Sequence, residues 1–163
     1  MKWGAQVLFL STYVNKVDRK GRVSVPAHFR AVLSGQDSQG IVGFRSFKHP
    51  ALDCSGQWRV AEMAAQLDTL SEFSEEYEAL EALFADMRTL SFDAEGRIIL
   101  PDDVIELTGI TETVAFVGLS KKFQIWEPET YKAHQQTMRQ LARDKKLTLP
   151  AVRTNVPSPG SVQ

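Results

Sequence analysis

Two short stretches of the chain carry the same chemistry at the same spacing. Val17-Asp18-Arg19-Lys20-Gly21-Arg22-Val23-Ser24-Val25-Pro26 returns, 75 positions on, as Phe92-Asp93-Ala94-Glu95-Gly96-Arg97-Ile98-Ile99-Leu100-Pro101. Aspartate, glycine, arginine and proline recur in register. An arginine leaving a rigid turn, on the face opposite Val23 and Val25, can bond guanine O6 and N7 with two parallel N–H groups, and a two-stranded ribbon can enter a major groove. Lys16, Arg19 and Lys20 beside it could hold phosphates, which positions a ribbon without reading sequence. Asp18 has two uses there, bonding the turn backbone or orienting Arg22. A plainer reading stands beside this one: Asp-x-x-Gly-Arg closes a hairpin, and the Asp–Arg pair only holds it. The second copy keeps Asp93, Gly96 and Arg97 but has Ala94-Glu95 in place of Arg19-Lys20. The shared part is thus the turn plus one arginine, and the first copy is expected to dominate any binding to a polyanion.

The elements that position these residues follow from pattern. Leu8 to Val17 reads as a strand rich in β formers. Asp18 and Gly21 occupy the first and fourth places of a turn; glycine supplies positive φ without steric cost, as in a common hairpin closure. Arg22 and Ser24 then alternate with Val23 and Val25. Pro26 ends the strand and opens a short helix to Leu33. Ile41 to Phe44 is a second strand, and Arg45 to Gly56, with His49, Pro50 and Cys54, reads as irregular. A helix begins near Gln57, and Ser71 or Ser74 caps the next, which has apolar spacing through Tyr77, Leu80, Leu83, Phe84 and Met87. The second copy repeats the plan from Thr89: strand, turn, strand, proline and a short helix ending at Gly109. Strands at Val114–Gly118 and Phe123–Trp126 follow, then a long helix opened by Glu127-Pro128-Glu129. Each half, of roughly 75 residues, could barely stabilise itself alone, so the two are expected to share one core about a pseudo-twofold axis.

Composition excludes several classes of function. The 163 residues carry a net charge of −1, so there is no uniformly basic coat. Charge is segregated instead: basic around Lys16 to Arg22, acidic from Glu72 to Asp86, basic again from Arg139 to Arg153. Each run also fits an ordinary solvated face. No apolar run is long enough to span a bilayer and the start lacks a signal-peptide pattern, so a cytoplasmic protein is expected. One cysteine, Cys54, fits a reducing compartment. His28, His49 and His134 lie apart, none at metal-ligand spacing with another histidine or a cysteine. There is no phosphate loop, dinucleotide fingerprint or nucleophile elbow. No enzymatic activity, catalytic residue, metal, cofactor or small-molecule substrate is expected.

The stretch from Phe9 to Tyr13, the run Val17 to Arg30, the second motif from Asp93 to Arg97, and Val117-Gly118 with Phe123 to Trp126 together resemble the MraZ family over about residues 7 to 145. That resemblance implies an α+β fold: two pseudo-symmetric β-hairpin and short-helix repeats sharing an AbrB-like (SpoVT-AbrB-type) β-barrel core, with packed peripheral helices. It implies a first repeat with a helical extension over residues 7–88 and a second repeat with a C-terminal helix over 89–147; Pro150, Pro157, Pro159 and Gly160 make the rest, 148–163, a polar tail expected to be disordered. By the same resemblance the protein is a DNA-binding transcriptional regulator in the cytoplasm, associated with the nucleoid. It would form a homo-oligomeric ring and bind short direct repeats of double-stranded DNA upstream of the division and cell-wall gene cluster, its own promoter included. Arg22 and Arg97 would contact DNA, with Arg19, Lys20 and Lys16 in support and Asp18, Gly21, Asp93 and Gly96 as motif partners. The alternative is an antitoxin-like or assembly module that uses the same fold to bind another protein. The segment from Arg45 to Gly56 departs from the family pattern, which leaves the first repeat's last strand open.

Overall fold

The computed structural model describes residues 8–152. In chain order its elements are β1 (Thr12–Lys16), β2 (Arg22–Ser24), α1 (Ala27–Gly35), β3 (Gly40–Arg45), β4 (Leu52–Ser55), α2 (Gln57–Leu67), α3 (Glu75–Asp86), β5 (Arg88–Ser91), β6 (Arg97–Ile99), α4 (Asp102–Thr108), β7 (Thr113–Gly118), β8 (Phe123–Trp126) and α5 (Pro128–Asp144). Of the described residues, 8–131 belong to one compact unit, which contains both motifs, and 132–152 to a second, which holds the rest of α5. Residues 148–152 have no regular structure, and the rest of the expected tail lies outside the described residues.

Local signals account for the helix ends. Pro26 and Pro101 stand at the N-caps of α1 and α4, one place before the first helical residue. Ser74 caps α3 by accepting a hydrogen bond from the Tyr77 N–H, and Glu75, Glu76 and Glu78 follow in its first turn. Gly109 ends α4 in the left-handed region, φ +73°.

Six strands form one antiparallel sheet in the order β1-β7-β8-β4-β3-β5, and β2 pairs with β6 as a separate two-stranded ribbon. The two repeats interlock: β1 pairs with β7 and β4 with β8. One core joins them. Phe29 from α1 packs on Phe9 and Phe123, with ring centroids 5.3 and 4.9 Å away. Val23, Val25, Ile98 and Leu100 are buried beside these rings. Full burial of such side chains is worth about 1.5–3 kcal/mol each, and it anchors the ribbon from beneath.

Two expectations from sequence are corrected. The segment Arg45 to Gly56 is not irregular throughout, because Leu52–Ser55 is a fully buried strand between β3 and β8. Asp-Cys-Ser is poor strand sequence, but here its polar group is satisfied from the other repeat. Trp126 Nε1 donates to Gln124 Oε1 at 2.9 Å, and Gln124 Nε2 donates to Asp53 Oδ1 at 2.7 Å. The second correction concerns the hairpins. β1 and its exit strand share backbone pairing only at the bridge Val17–Val23; then β2 leaves and pairs with the exit strand of the other repeat.

The N-terminal approach to β1 depends on a close passage. Phe9 and Ser120 exchange backbone hydrogen bonds of 2.8 and 2.9 Å, and the Gly118 N–H donates to the Ser11 carbonyl at 2.8 Å. A Cβ on Gly118 would lie 2.6 Å from the backbone of Phe9 and Leu10. Gly118→Ala is therefore expected to lift Phe9 out of the aromatic cluster and cost about 1–3 kcal/mol in urea or thermal denaturation. An unchanged melt would contradict the close approach.

Candidate nucleic-acid interface

The two motif turns have matching geometry. In the first, the Gly21 N–H donates to the Asp18 carbonyl at 3.0 Å and the Asp18 N–H to the Arg22 carbonyl at 2.9 Å. Asp18 Oδ1 accepts from the backbone N–H groups of Lys20 and Arg22, both at 2.9 Å, and Oδ2 accepts from Arg22 Nε at 2.7 Å. In the second, Asp93 Oδ1 accepts from the N–H groups of Glu95 and Arg97 at 2.9 Å, and Oδ2 from Arg97 Nε at 2.8 Å. Gly21 and Gly96 take φ of +78° and +75°, where a side chain is strained. Each aspartate thus does both things that the sequence left open: it closes the turn and aims the arginine.

The exchanged strands bring the two arginines together. In the ribbon, Arg22 pairs with Ile99, Val23 with Ile98 and Ser24 with Arg97. Paired residues share a face and neighbours along a strand alternate. Val23 and Ile98 are therefore on the buried face, and Arg22, Ser24, Arg97 and Ile99 share the other. Arg22 and Arg97 are diagonal neighbours, with Cα atoms roughly 7–8 Å apart. Each turn is also tied to the other's exit strand: the Leu100 N–H donates to the Gly21 carbonyl at 2.8 Å, and the Val25 N–H to the Gly96 carbonyl at 3.2 Å. Asn15 Nδ2 braces the ribbon edge by donating to the Ser24 carbonyl at 2.7 Å.

The aspartates spend one nitrogen of each guanidinium and leave the outer edge available. Arg22 makes its side-chain bond through Nε, and neither of its terminal nitrogens is hydrogen-bonded among the described residues. Arg97 also has Glu95 Oε2 at 3.5 Å from Nη2. Lys16, Arg19 and Lys20 are exposed around the first turn.

Sequence reasoning missed Arg30. This exposed residue of α1 donates from Nε to the Val25 carbonyl at 3.1 Å. Its guanidinium lies over Gly96, where a Cβ would come within 2.7 Å of Nη1. The second turn, without basic residues of its own, thus receives a cation from the first repeat. No local signal marks this, because it depends on the strand exchange. Ile99 was also passed over. It is 60 % exposed on the ribbon's outer face, and three apolar residues in a row at Ile98-Ile99-Leu100 require one to point outward in an alternating strand.

The other reactive groups lie elsewhere. His28 Nε2 is 3.2 Å from the Leu8 carbonyl, and the His49 ring lies 5.3 Å from that of Trp126. Cys54 is buried, and burial pushes its thiol pKa well up. No group of three metal-ligating side chains is found among the described residues, and no helix there is long and apolar enough to cross a membrane.

The hydrogen bonds set the acid response of the turns. The Arg22 N–H first, then its side chain and the Lys20 N–H, hold the Asp18 carboxyl below its ordinary 3.8. The Arg97 N–H, its side chain and the Glu95 N–H do the same for Asp93. Arg97 is raised, first by its bond to Asp93, with Asp18 also contributing across the ribbon. A carboxyl whose pKa falls on folding stabilises fully above its unfolded value and loses that contribution as pH drops through the lowered one. In an acid titration followed by NMR, the Arg22 and Arg97 amides are expected to shift with midpoints below 3.8. Asp18→Asn and Asp93→Asn should each abolish their own transition; midpoints at or above 3.8 would contradict the bonding.

A family model described as "MraZ protein, putative antitoxin-like" matches residues 83–150. The chain is 38% identical over 143 residues to the transcriptional regulator MraZ of Rickettsia felis, covering 87% of this chain and 96% of that protein. Over the same length and shares it is 39% identical to the transcriptional regulator MraZ of Rickettsia rickettsii and 38% to that of Rickettsia canadensis. Similarity at that level across nearly the whole of these relatives establishes that the chain belongs to the MraZ family of transcriptional regulators.

Proposed function

We infer that the protein is a sequence-specific DNA-binding regulator, and that the outer face of the β2–β6 ribbon is its reading surface. The observation that carries this is the register Arg22–Ile99 and Ser24–Arg97, which sets both motif arginines on one exposed face with their Nε atoms held. A pair of strands fits a major groove about 12 Å wide, and the outer edges of the guanidinium groups match guanine O6 and N7. Lys16, Arg19 and Lys20 at one end and Arg30 at the other are the phosphate contacts. These six cations, opposed by Asp18, Asp93 and Glu95, give a local positive field on a chain of net charge −1.

The surface of one subunit is small. A homo-oligomeric ring that presents several ribbons to short direct repeats would raise the effective concentration of each after the first has bound. The sites proposed are those ahead of the division and cell-wall gene cluster, including the protein's own promoter, which implies residence at the nucleoid. In this reading the ribbon and the six-stranded sheet, joined at both edges by the motif turns, form an AbrB-like barrel of two halves; the Val17–Val23 bridge and the cross-turn hydrogen bonds support that.

Arg30 changes the balance expected between the two copies. With a cation at each turn and both arginines on one face, Arg22→Ala and Arg97→Ala are expected to cost similar specificity, about 1–3 kcal/mol per repeat, without loss of fold. Lys20→Ala and Arg30→Ala should instead weaken binding to all sequences alike and lower the salt slope by about one per bound subunit. Titrations of selected and scrambled duplexes at several salt concentrations separate these outcomes. Wild-type affinity in the double variant Arg22→Ala, Arg97→Ala would overturn the DNA reading and favour an antitoxin-like, protein-binding role.

A further inference from the structure

The ribbon's outer face holds four side chains, and one of them is out of character. Arg22, Ser24 and Arg97 are polar; Ile99 is apolar and 60 % exposed. A lone exposed apolar side chain needs no explanation in general. This one stands directly across from Arg22 and two residues along from Arg97. Its Cγ2 lies beside Gly21, 3.8 Å from where a Cβ would be. The fold does not require it, because the core is served by Val23 and Ile98 on the opposite face and the matching position of the first repeat is the exposed Ser24.

The surrounding charge says what can cover this residue. Cations ring the face, so its occupant is a polyanion, and duplex DNA offers one apolar feature at base edges in the major groove, the 5-methyl group of thymine. We propose that Ile99 is a specificity-determining residue that packs on a thymine methyl group between the base pairs read by Arg22 and Arg97; this rests on the DNA reading above. The pseudo-twofold that relates the repeats exchanges Arg22 with Arg97 and Ser24 with Ile99. With like residues at the second pair, the ribbon could read its site in either direction. Ile99 opposite a serine equivalent gives each subunit a sense along the duplex, which suits direct repeats and not inverted ones.

The test uses the full chain. Duplexes are selected from a randomised pool with the wild-type protein, and each thymine of the enriched repeat is replaced in turn by deoxyuridine, which keeps base pairing and removes the methyl group. One thymine per repeat should be sensitive, with wild-type affinity falling roughly fourfold per repeat. Ile99→Ser, which copies Ser24, should bind thymine and deoxyuridine duplexes equally, and Ile99→Val should still discriminate. Indifference of the wild type at every thymine, or discrimination kept by Ile99→Ser, overturns the proposal. So does a smaller assembly of Ile99→Ser in sedimentation, which would make Ile99 a subunit contact. If the wild type enriches no sequence, the DNA reading itself fails and this inference falls with it.

Discussion

The exchange of exit strands between the repeats is the constraint on which the site depends. β2 and β6 have three residues each, too few to persist as an isolated ribbon in water. They persist because Val23 and Ile98 are driven into the common core, with Val25 and Leu100 at the ends, and because each turn bonds the other's exit strand. Side chains in a strand alternate with a period of two. A slip of one residue would bury Arg22 and Arg97 and expose Val23 and Ile98. The arginines are therefore held outward by the core and not by their own interactions, and their relative spacing is that of a ladder diagonal.

Within that frame the aspartates orient more than they stabilise. The Asp18–Arg22 and Asp93–Arg97 pairs are more than a third exposed on the aspartate side, and exposed ion pairs contribute little to stability. What they restrict is freedom. An arginine side chain on a surface carries about 2 kcal/mol of rotamer entropy, part of which is lost on folding when Nε is bonded instead of on binding. The carboxylate's other oxygen is committed to two backbone N–H groups, so the group that aims the guanidinium is itself fixed by the turn. Asparagine would keep at most part of this arrangement, because its amide nitrogen is a donor where the turn or the arginine needs an acceptor.

The local parts of this arrangement were legible in the sequence, and the exchanged parts were not. Asp18, Gly21 and Pro26 each act within a few residues of themselves, as do Ser74 and Gly109, so composition and spacing sufficed to read turn, helix starts and helix end. The same turn signature would serve whether the exit strand folded back or crossed over, and three residues carry too little alternation to decide. Arg30 could not be placed for the same reason: it reaches Gly96 only because the helix after β2 belongs beneath the other repeat's turn. β4 was hidden by its composition. Asp53 is tolerable in a buried strand because Gln124 and Lys122 stand beside it, and those partners lie 71 and 69 positions away.

Near-symmetry with a few differences has a physical consequence that either extreme would lack. Unrelated repeats would have no reason to bring two equivalent arginines into one ladder. Identical repeats would give a face with no direction, because a twofold axis makes both ways along a partner equal in energy. Here the turns and their aspartate bonds match within 0.1 Å, while the exposed surroundings differ: Lys16 against Ser91, Arg19-Lys20 against Ala94-Glu95, Ser24 against Ile99, and Ile99 beside Gly21 against Arg30 over Gly96. The matched part sets spacing, which must be the same at both ends for the ribbon to lie flat. The buried positions differ only in the size of an apolar side chain, Val23 against Ile98 and Val25 against Leu100, whereas the exposed ones differ in kind, where a change alters what the face prefers without disturbing the core that holds it. Arg30 restores one positive charge at the end where Glu95 removes one, but Lys16, Arg19 and Lys20 have no basic counterparts there, so the two ends differ in charge as well as in the exposed isoleucine, and both differences give the face a direction.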